Sequence, residues 1–370
     1  MTPDFWCGKQ VLITGHTGFK GGWLALWLAK CGAQVVGYSL DPPSSPNLYE
    51  SARVADILTS IKGDLKDLDL LTQTIEKHAP QIVFHLAAQS LVRQSYHDPV
   101  ETYMTNVMGT VHLFEAVRRS QSVRVVVNVT SDKCYENMGY ARGYNENDPM
   151  GGHDPYSSSK GCSELVAAAY HNSFFQPSNN KNSNPVALAS VRAGNVIGGG
   201  DWAKDRLIPD IVRSFINNKP VEIRNPNAIR PWQYVLEPLG GYLLLAEKLW
   251  ENVSEYSGGW NFGPEDNEGL SVVNILEAMA KLWGSGATWN IQPGDHPHEE
   301  QCLRLDCTKA RDKIGWKTRW DIYDGLSATV DWYRDFAKNS DTHELCLRQI
   351  DQFMSSVSYR AKNIKTTSNI

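Results

Sequence analysis

The stretch 9–21 reads KQVLITGHTGFKG, and the order of its parts decides the fold. Lys9 to Thr14 is a short apolar strand. Gly15, Gly18 and Gly21 follow at three-residue spacing, and the chain then turns helical. Phe19, Trp23, Trp27 and Cys31 recur at i+4, with Leu24 and Leu28 beside them, so one face of that helix is apolar. Glycines permit a tight turn and let the backbone approach a pyrophosphate closely. The helix N-terminus then offers free N–H groups and the positive end of its dipole. A glycine triplet alone is a weak signal; strand, glycine turn and helix in that order are a strong one. Gly15, Thr17, Gly18, Phe19, Lys20 and Gly21 are therefore candidate dinucleotide contacts.

Working outward, the next strand, 34–40, ends at Ser39-Leu40-Asp41. An acidic residue near this point usually receives the adenosine ribose. Asp41 lies two residues beyond the aligned position, where Ser39 stands, so the ribose partner is either residue, and Asp41 can equally shape the turn before Pro42-Pro43. No Lys or Arg follows until Arg53, which argues against a 2′-phosphate and favours NAD over NADP. Residues 61–65 (IKGDL) form a third strand and turn, and 81–86 (QIVFHL) a fourth. The fourth opens into Ala87-Ala88-Gln89-Ser90, whose small residues allow a nicotinamide to lie against the backbone. Residues 100–119 read as one long helix, with Asn106 on its exposed side.

Val123 to Val129 (VRVVVNV) is β-branched at most positions and reads as a buried parallel strand. It ends in Thr130-Ser131-Asp132-Lys133, where open α/β sheets bind ligands. A polar, Gly-rich loop, 136–154, then covers the site. The helix from Tyr156 to about Asn172 follows, with Tyr156 and Lys160 one turn apart and pointing the same way. An ammonium beside a phenol favours the phenolate, which makes Tyr156 a candidate acid/base for a hydroxyl. Residues 177–185 (PSNNKNSNP) are a polar loop, and 186–192 another strand.

Strands alternating with helices imply an α/β fold with a doubly wound parallel sheet, of the Rossmann type. Beyond about residue 195 the pattern loosens into helices at 207–217, 239–250 and 272–283. Residues 229–234 (IRPWQY) and 304–306 (RLD) bring guanidinium groups and rings into a smaller, mixed α/β C-terminal domain for the substrate. The expected division is 1–190 for the cofactor, with segments near 229–260 returning to it, 191–355 mainly for the substrate, and 356–370 a polar tail.

The net charge of -5 in 370 residues gives no electrostatic case for nucleic acid or an anionic membrane. Seven cysteines are dispersed without a Cys-x-x-Cys pair. Cys302 and Cys307 are the nearest two, and no His cluster at zinc-ligand spacing accompanies them, so no metal is expected. With no signal-peptide pattern and no membrane-length apolar run, the expectation is a cytoplasmic protein with reduced thiols.

Gly15-x-x-Gly18-x-x-Gly21, Asp64-Leu65, Leu86-Ala87-Ala88-Gln89, Ser131 and Tyr156-x-x-x-Lys160 together resemble the extended short-chain dehydrogenase/reductases that act on nucleotide sugars. The likeness runs over roughly residues 8–335. GHTGFKGGWLALWL, AAQSLVRQSY, TSDKCYEN, DPYSSSKGCSELV, VRAGNVIGGGDW and RPWQYVLEPL point to the 4,6-dehydratase branch acting on CDP-glucose. Lys133 departs from related 4,6-dehydratases, which carry an acidic residue there. The resemblance implies that hydride passes from sugar C4 to NAD while Tyr156 takes the hydroxyl proton. Water then leaves across C5 and C6, and the hydride returns to C6. It implies Ser131 at the C4 oxygen, Asp132 as the acid for the leaving hydroxyl, and Lys133 as the C5 base. The alternative keeps Lys133 charged and paired with Asp132, with water or Glu136 as base. Ser90, Asn195, Leu207, Arg230 and Tyr234 are implied substrate contacts, and Asp64, Leu65, Leu86, Ala87, Ala88, Gln89, Tyr156 and Lys160 further cofactor contacts. A homodimer through paired helices, or a homotetramer, is implied as well. Other readings are a nucleotide-sugar 4-epimerase and a non-catalytic NAD(H)-sensing module.

Overall fold

The computed structural model describes residues 1–176, 185–223, 225–265, 270–284, 286–291 and 303–356. Seven strands form one sheet: β1 (Gln10–Thr14), β2 (Gln34–Ser39), β3 (Thr59–Lys62), β4 (Ile82–His85), β5 (Val125–Val129), β6 (Ala187–Ala193) and β7 (Gly258–Phe262). Their order is β7-β6-β5-β4-β1-β2-β3, and every neighbouring pair is parallel. The order reverses between β1 and β4, so the crevice at their carboxyl ends is the switch point where such sheets bind ligands.

The strands are apolar on both faces because helices cover both. Val11, Ile13, Val125 and Val127 pack into one core with the helices α1 (Phe19–Lys30) and α6 (Leu236–Glu251). Leu12, Val36, Val83 and Val126, the alternate positions, pack into a second core with α2 (Leu68–His78) and α3 (Gly109–Arg119). The helix α4 (Pro155–Tyr170) starts as its sequence dictates: Asp154 accepts from the Ser157 N–H, and Pro155 sits where no N–H is needed.

The single helix expected over 100–119 is broken. A helix at Pro99–Tyr103 runs into a wide π turn, Met104–Met108, and only then into α3. Beyond β6 lie α5 (Leu207–Ile216), α6, α7 (Val272–Trp283), α8 (Ile322–Ala337) and α9 (Thr342–Ser355). Short strand pairs join 196–197 to 233–234, 229–230 to 270–271, and 221–223 to 289–291. The sheet takes its last strand from 258–262, and α9 returns to the N-terminal half, where Phe353 meets Trp27 edge-on at 5.7 Å. Among the described residues no helix is long and apolar enough to cross a membrane. Residues 177–184 of the predicted polar loop, Cys302, and 357–370 of the tail lie outside the described residues.

Candidate active site

The glycine turn leaves a cradle that side chains would fill. Gly15 has φ +80°, and a Cβ there would sit 2.7 Å from the Ala87 nitrogen; one at Gly21 would collide with the Gly15 carbonyl. Gly18 is the N-cap of α1 and contributes no side-chain cap, so the helix's first N–H groups remain available to an anion. The Thr17 hydroxyl meets Ser39 Oγ at 2.8 Å and donates to the Leu40 carbonyl at 2.9 Å, fixing the turn to the end of β2. These features fit a dinucleotide.

Asp41 lies outside that turn, ion-paired with Lys62 at 2.5 Å. Ser39, half-buried and bonded to Thr17, is closer to the glycine turn in the hydrogen-bond network. The parallel register sets Ser39 opposite Lys62, so a cation does stand here. It arrives on the neighbouring strand, 21 residues along the chain from Asp41. Asp64 holds its own turn by accepting from the Lys66 N–H, and Leu65 is buried, its carbonyl 2.8 Å from His112 Nδ1.

At the end of β4, Leu86 N–H donates to the Thr14 carbonyl and Ala87 N–H to the Thr14 hydroxyl. Asn106 is buried, contrary to its predicted exposure. Its Oδ1 accepts from the Gln89 N–H at 2.8 Å, and its Nδ2 donates to the Gln89 carbonyl and to Ser159 Oγ. The π turn rotates it inward, joining the Ala88–Ser90 loop to α4. The half-buried Gln89 side chain braces its own loop, bonding Leu91 and Thr102.

Ser131 and Asp132 are buried, and Lys133 half-buried, on a short turn at the end of β5. The Ser131 hydroxyl donates to Asp132 Oδ1 at 3.0 Å and accepts from the Lys133 N–H at 3.3 Å. Burial raises the Asp132 pKa, against the charges of Lys133 and Arg230 and the Ser131 hydrogen bond. Of the charges acting on Asp132, that of Lys133 is the largest. Glu136, the other candidate base, faces His153 at 3.4 Å.

Tyr156 and Lys160 are both buried on α4, which confirms their shared face but not the expected pKa order. Burial pushes the Tyr156 phenol up to about 12, with the Ser131 hydrogen bond pulling it back. Burial also pushes the Lys160 ammonium down to about 8, opposed by Cys134 and Glu164. The ammonium donates to the Val129 carbonyl at 3.3 Å, and desolvation is the largest influence on both groups. Lys20 shares this environment: burial lowers it to about 8, and Arg206, Lys160, Asp132 and Asp201 all act on it.

Arg206 escaped the sequence reading. It donates to Ser90 Oγ at 2.9 Å and pairs with buried Asp201 at 3.0 Å, and its charge reaches Tyr156 and Lys20. Its only sequence signal was its place just before Leu207, the half-buried first residue of α5. Arg230 is buried, and its charge acts on Asp132. Asn195 is half-buried, its carbonyl accepting from the Gln233 N–H. Tyr234 is a correction. It is 1% exposed, its hydroxyl donates to Gln349 Oε1, and its ring packs on Trp320 and Trp23, so it is a core residue and not a substrate contact.

The family model described as GDP-mannose 4,6 dehydratase matches residues 12–329. The chain is 54% identical over 353 residues to CDP-glucose 4,6-dehydratase of Salmonella typhimurium, covering 95% of this chain and 98% of that protein. It is 26% identical over 337 residues to dTDP-glucose 4,6-dehydratase of Xanthomonas campestris pv. campestris, covering 87% and 92%. Among solved structures, MoeE5 in complex with UDP-glucose and NAD superimposes with a TM-score of 0.73 at 25% identity, over 88% of this chain and 99% of that one. The NAD complex of dTDP-glucose 4,6-dehydratase from Bacillus anthracis shares the fold, with a TM-score of 0.74 at 22% identity over 92% and 100%.

Proposed function

The chain belongs to the GDP-mannose 4,6-dehydratase family, and we propose CDP-D-glucose as the substrate of this NAD-dependent nucleotide-sugar 4,6-dehydratase. The product is CDP-4-keto-6-deoxy-D-glucose, a precursor for dideoxy sugars of surface polysaccharides such as O-antigen. The observation that carries the choice of nucleotide is the 54% identity with the Salmonella enzyme across 95% of the chain.

NAD, held at the turn of Gly15, Gly18 and Gly21, would supply the hydride acceptor and donor for the reaction when bound. The chain's own residues manage protons and position. Tyr156 takes the proton of the C4 hydroxyl, helped by the neighbouring Lys160 charge, while Ser131 hydrogen-bonds the same oxygen. Asp132 donates a proton to the departing C6 hydroxyl; its raised pKa supports that role. Lys133, as the neutral amine, takes the C5 proton and gives one back to C5 when the hydride is returned at C6. Ser90, Asn195, Leu207, Arg230 and, from the geometry, Arg206 hold the nucleotide, with guanidinium groups at the diphosphate. Residues up to about 190, with those near 229–260, form the cofactor unit, and the remainder of 191–355 mainly the substrate unit.

Six free thiols among the described residues support a reducing, cytoplasmic location. Val100, Met104 and Met108, with Leu165 on α4, leave apolar side chains exposed on adjoining elements, which supports a homodimer through these paired helices. Leu165→Glu should then halve the mass measured by light scattering.

Incubation with CDP-glucose, UDP-glucose, dTDP-glucose and GDP-mannose, each followed by mass spectrometry, tests the reaction. CDP-glucose should lose one water fastest. An unchanged mass with altered sugar stereochemistry would instead identify an epimerase.

A further inference from the structure

Thr130 and Tyr135 stand at the two ends of the segment carrying Ser131, Asp132 and Lys133, and both are bonded to one buried ion pair. Glu164 lies one turn beyond Lys160 on α4, and its side chain is 6% exposed. Thr130 Oγ1 donates to Glu164 Oε1 at 2.5 Å and lies 3.3 Å from the Val191 carbonyl oxygen. Arg192, from β6, grips the same carboxylate with two nitrogens, Nε to Oε1 at 2.8 Å and Nη2 to Oε2 at 2.9 Å. Its third nitrogen, Nη1, donates to the Tyr135 hydroxyl at 2.6 Å, and that hydroxyl donates to Asn261 Oδ1 on β7 at 2.8 Å.

A buried ion pair holds two elements together no better than well-packed apolar residues would. It does fix direction, because each bond of a bidentate guanidinium–carboxylate fork has a set geometry. Here the fork reaches out from both sides to a single six-residue segment. We propose that Glu164 and Arg192 are positioning residues that bracket the segment 130–135 and hold Asp132 and Lys133 in register with Tyr156. The proposal rests on the dehydratase reading above, in which those two side chains perform the elimination. Tyr156 is held by α4 itself. Releasing one end of the bracket therefore lets the turn at Asp132–Cys134 shift while the oxidising residue stays in place, and elimination suffers more than oxidation.

Thr130→Val and Tyr135→Phe each cut one end of the bracket while leaving the ion pair intact. In single-turnover mixing with CDP-glucose, both should slow elimination by about tenfold or more, since small misplacements are costly to a positioned group. Bound NADH absorbance should build up, with KM and the NAD affinity measured by fluorescence within about twofold of native. Thr130→Ser, which keeps the hydroxyl, should restore native behaviour. Lys133→Met serves as the reference for blocked elimination. If it accumulates NADH while the folded Thr130→Val and Tyr135→Phe proteins eliminate at the native rate, the bracket is overturned and the dehydratase roles stand. A parallel loss of oxidation and elimination, with no NADH build-up, also overturns it, since that is what general loosening would produce. If Lys133→Met itself eliminates at the native rate, the assigned base is wrong and the bracket falls with it.

Discussion

Asp41 and Lys62 form an ion pair at 2.5 Å where β2 and β3 end side by side. Both side chains are about 70% exposed (70% and 71%), so the pair contributes little stability. Its effect is on charge. Lys62 is the cation a 2′-phosphate would seek, and Asp41 neutralises it. Asp41→Asn should therefore shift the ratio of NAD to NADP affinity towards NADP by about three- to tenfold at low salt, with the shift shrinking as salt screens it. Competitive fluorescence titration reads the ratio, and an unchanged ratio would mean that Lys62 does not face the ribose. The melting temperature should move little.

Asn106 ties the loop after β4 to the helix of Tyr156 through three hydrogen bonds. Asn106→Ala leaves the Gln89 N–H and carbonyl without their buried partner, at about 2–4 kcal/mol in all. Urea unfolding of the purified variant measures this. Asn106→Asp should recover only the bond accepted from the Gln89 N–H and lose both donated ones. A cost below about 0.5 kcal/mol for the alanine variant would show that water replaces the amide without loss.

The doubly wound sheet was legible because periodicity and glycine spacing are local. KQVLITGHTGFKG and VRVVVNV each state their element within a few residues, and the first six strands begin within about two residues of where they read, whereas β7 was not read as a strand. What was not legible depends on elements meeting from afar. Asn106 looked exposed because helix periodicity assumes α geometry, and the π turn at 104–108 rotates the residue by its extra residue per turn. Tyr234 looked like a ligand contact because its motif is rich in polar and aromatic residues, yet α8 and α9 arrive to bury it. Arg206 gained its place only when Ser90, 116 residues earlier, came within reach. The phenol's acidity was misjudged for the same reason: the spacing of Tyr156 and Lys160 is written in the helix, but their desolvation is not.

Lys160 should leave a mark on stability as well as on rate. Its folded pKa is lowered from 10.5 to about 8, chiefly by burial. Between about pH 8 and 10.5 the unfolded chain holds the proton that the folded one has lost, so the folded state gains as pH rises through this window. Below it, the buried charge is a liability, with a ceiling of about 3 kcal/mol at roughly 1.4 kcal/mol per pKa unit. Lys160→Met should therefore melt higher than native at pH 7 without nucleotide, and that advantage should fade by pH 10. Oxidation of the sugar should fall by about a hundredfold or more. A variant that melts lower than native at pH 7 would show that the ammonium is well solvated by its surroundings.

Glu237 offers the opposite case, a buried acid that titrates upward. It sits at the second position of α6, 1% exposed. One carboxyl oxygen accepts from the N–H groups of Arg319 and Trp320, at 2.9 and 2.7 Å, joining α6 to the segment that leads into α8; the other has no partner among the described residues. Burial pushes its pKa from 4.5 up to about 8, with those two N–H groups and the Arg319 charge opposing and Glu265 adding to the rise. The folded state thus holds a proton that the unfolded chain releases above about pH 4.5. Stability is fully present below that pH, declines as pH rises towards 8, and is lost as pH passes through the folded value. Glu237→Gln keeps an oxygen for the two N–H donors and removes the titration. Its melting temperature relative to native should be independent of pH below about 4.5, climb steadily from there to pH 8, and level off above. The climb corresponds to at most about 5 kcal/mol, at roughly 1.4 kcal/mol per pKa unit. Parallel melting curves for the two proteins between pH 5 and 8 would mean that the carboxyl ionises freely where it sits, and that water reaches its unbonded oxygen.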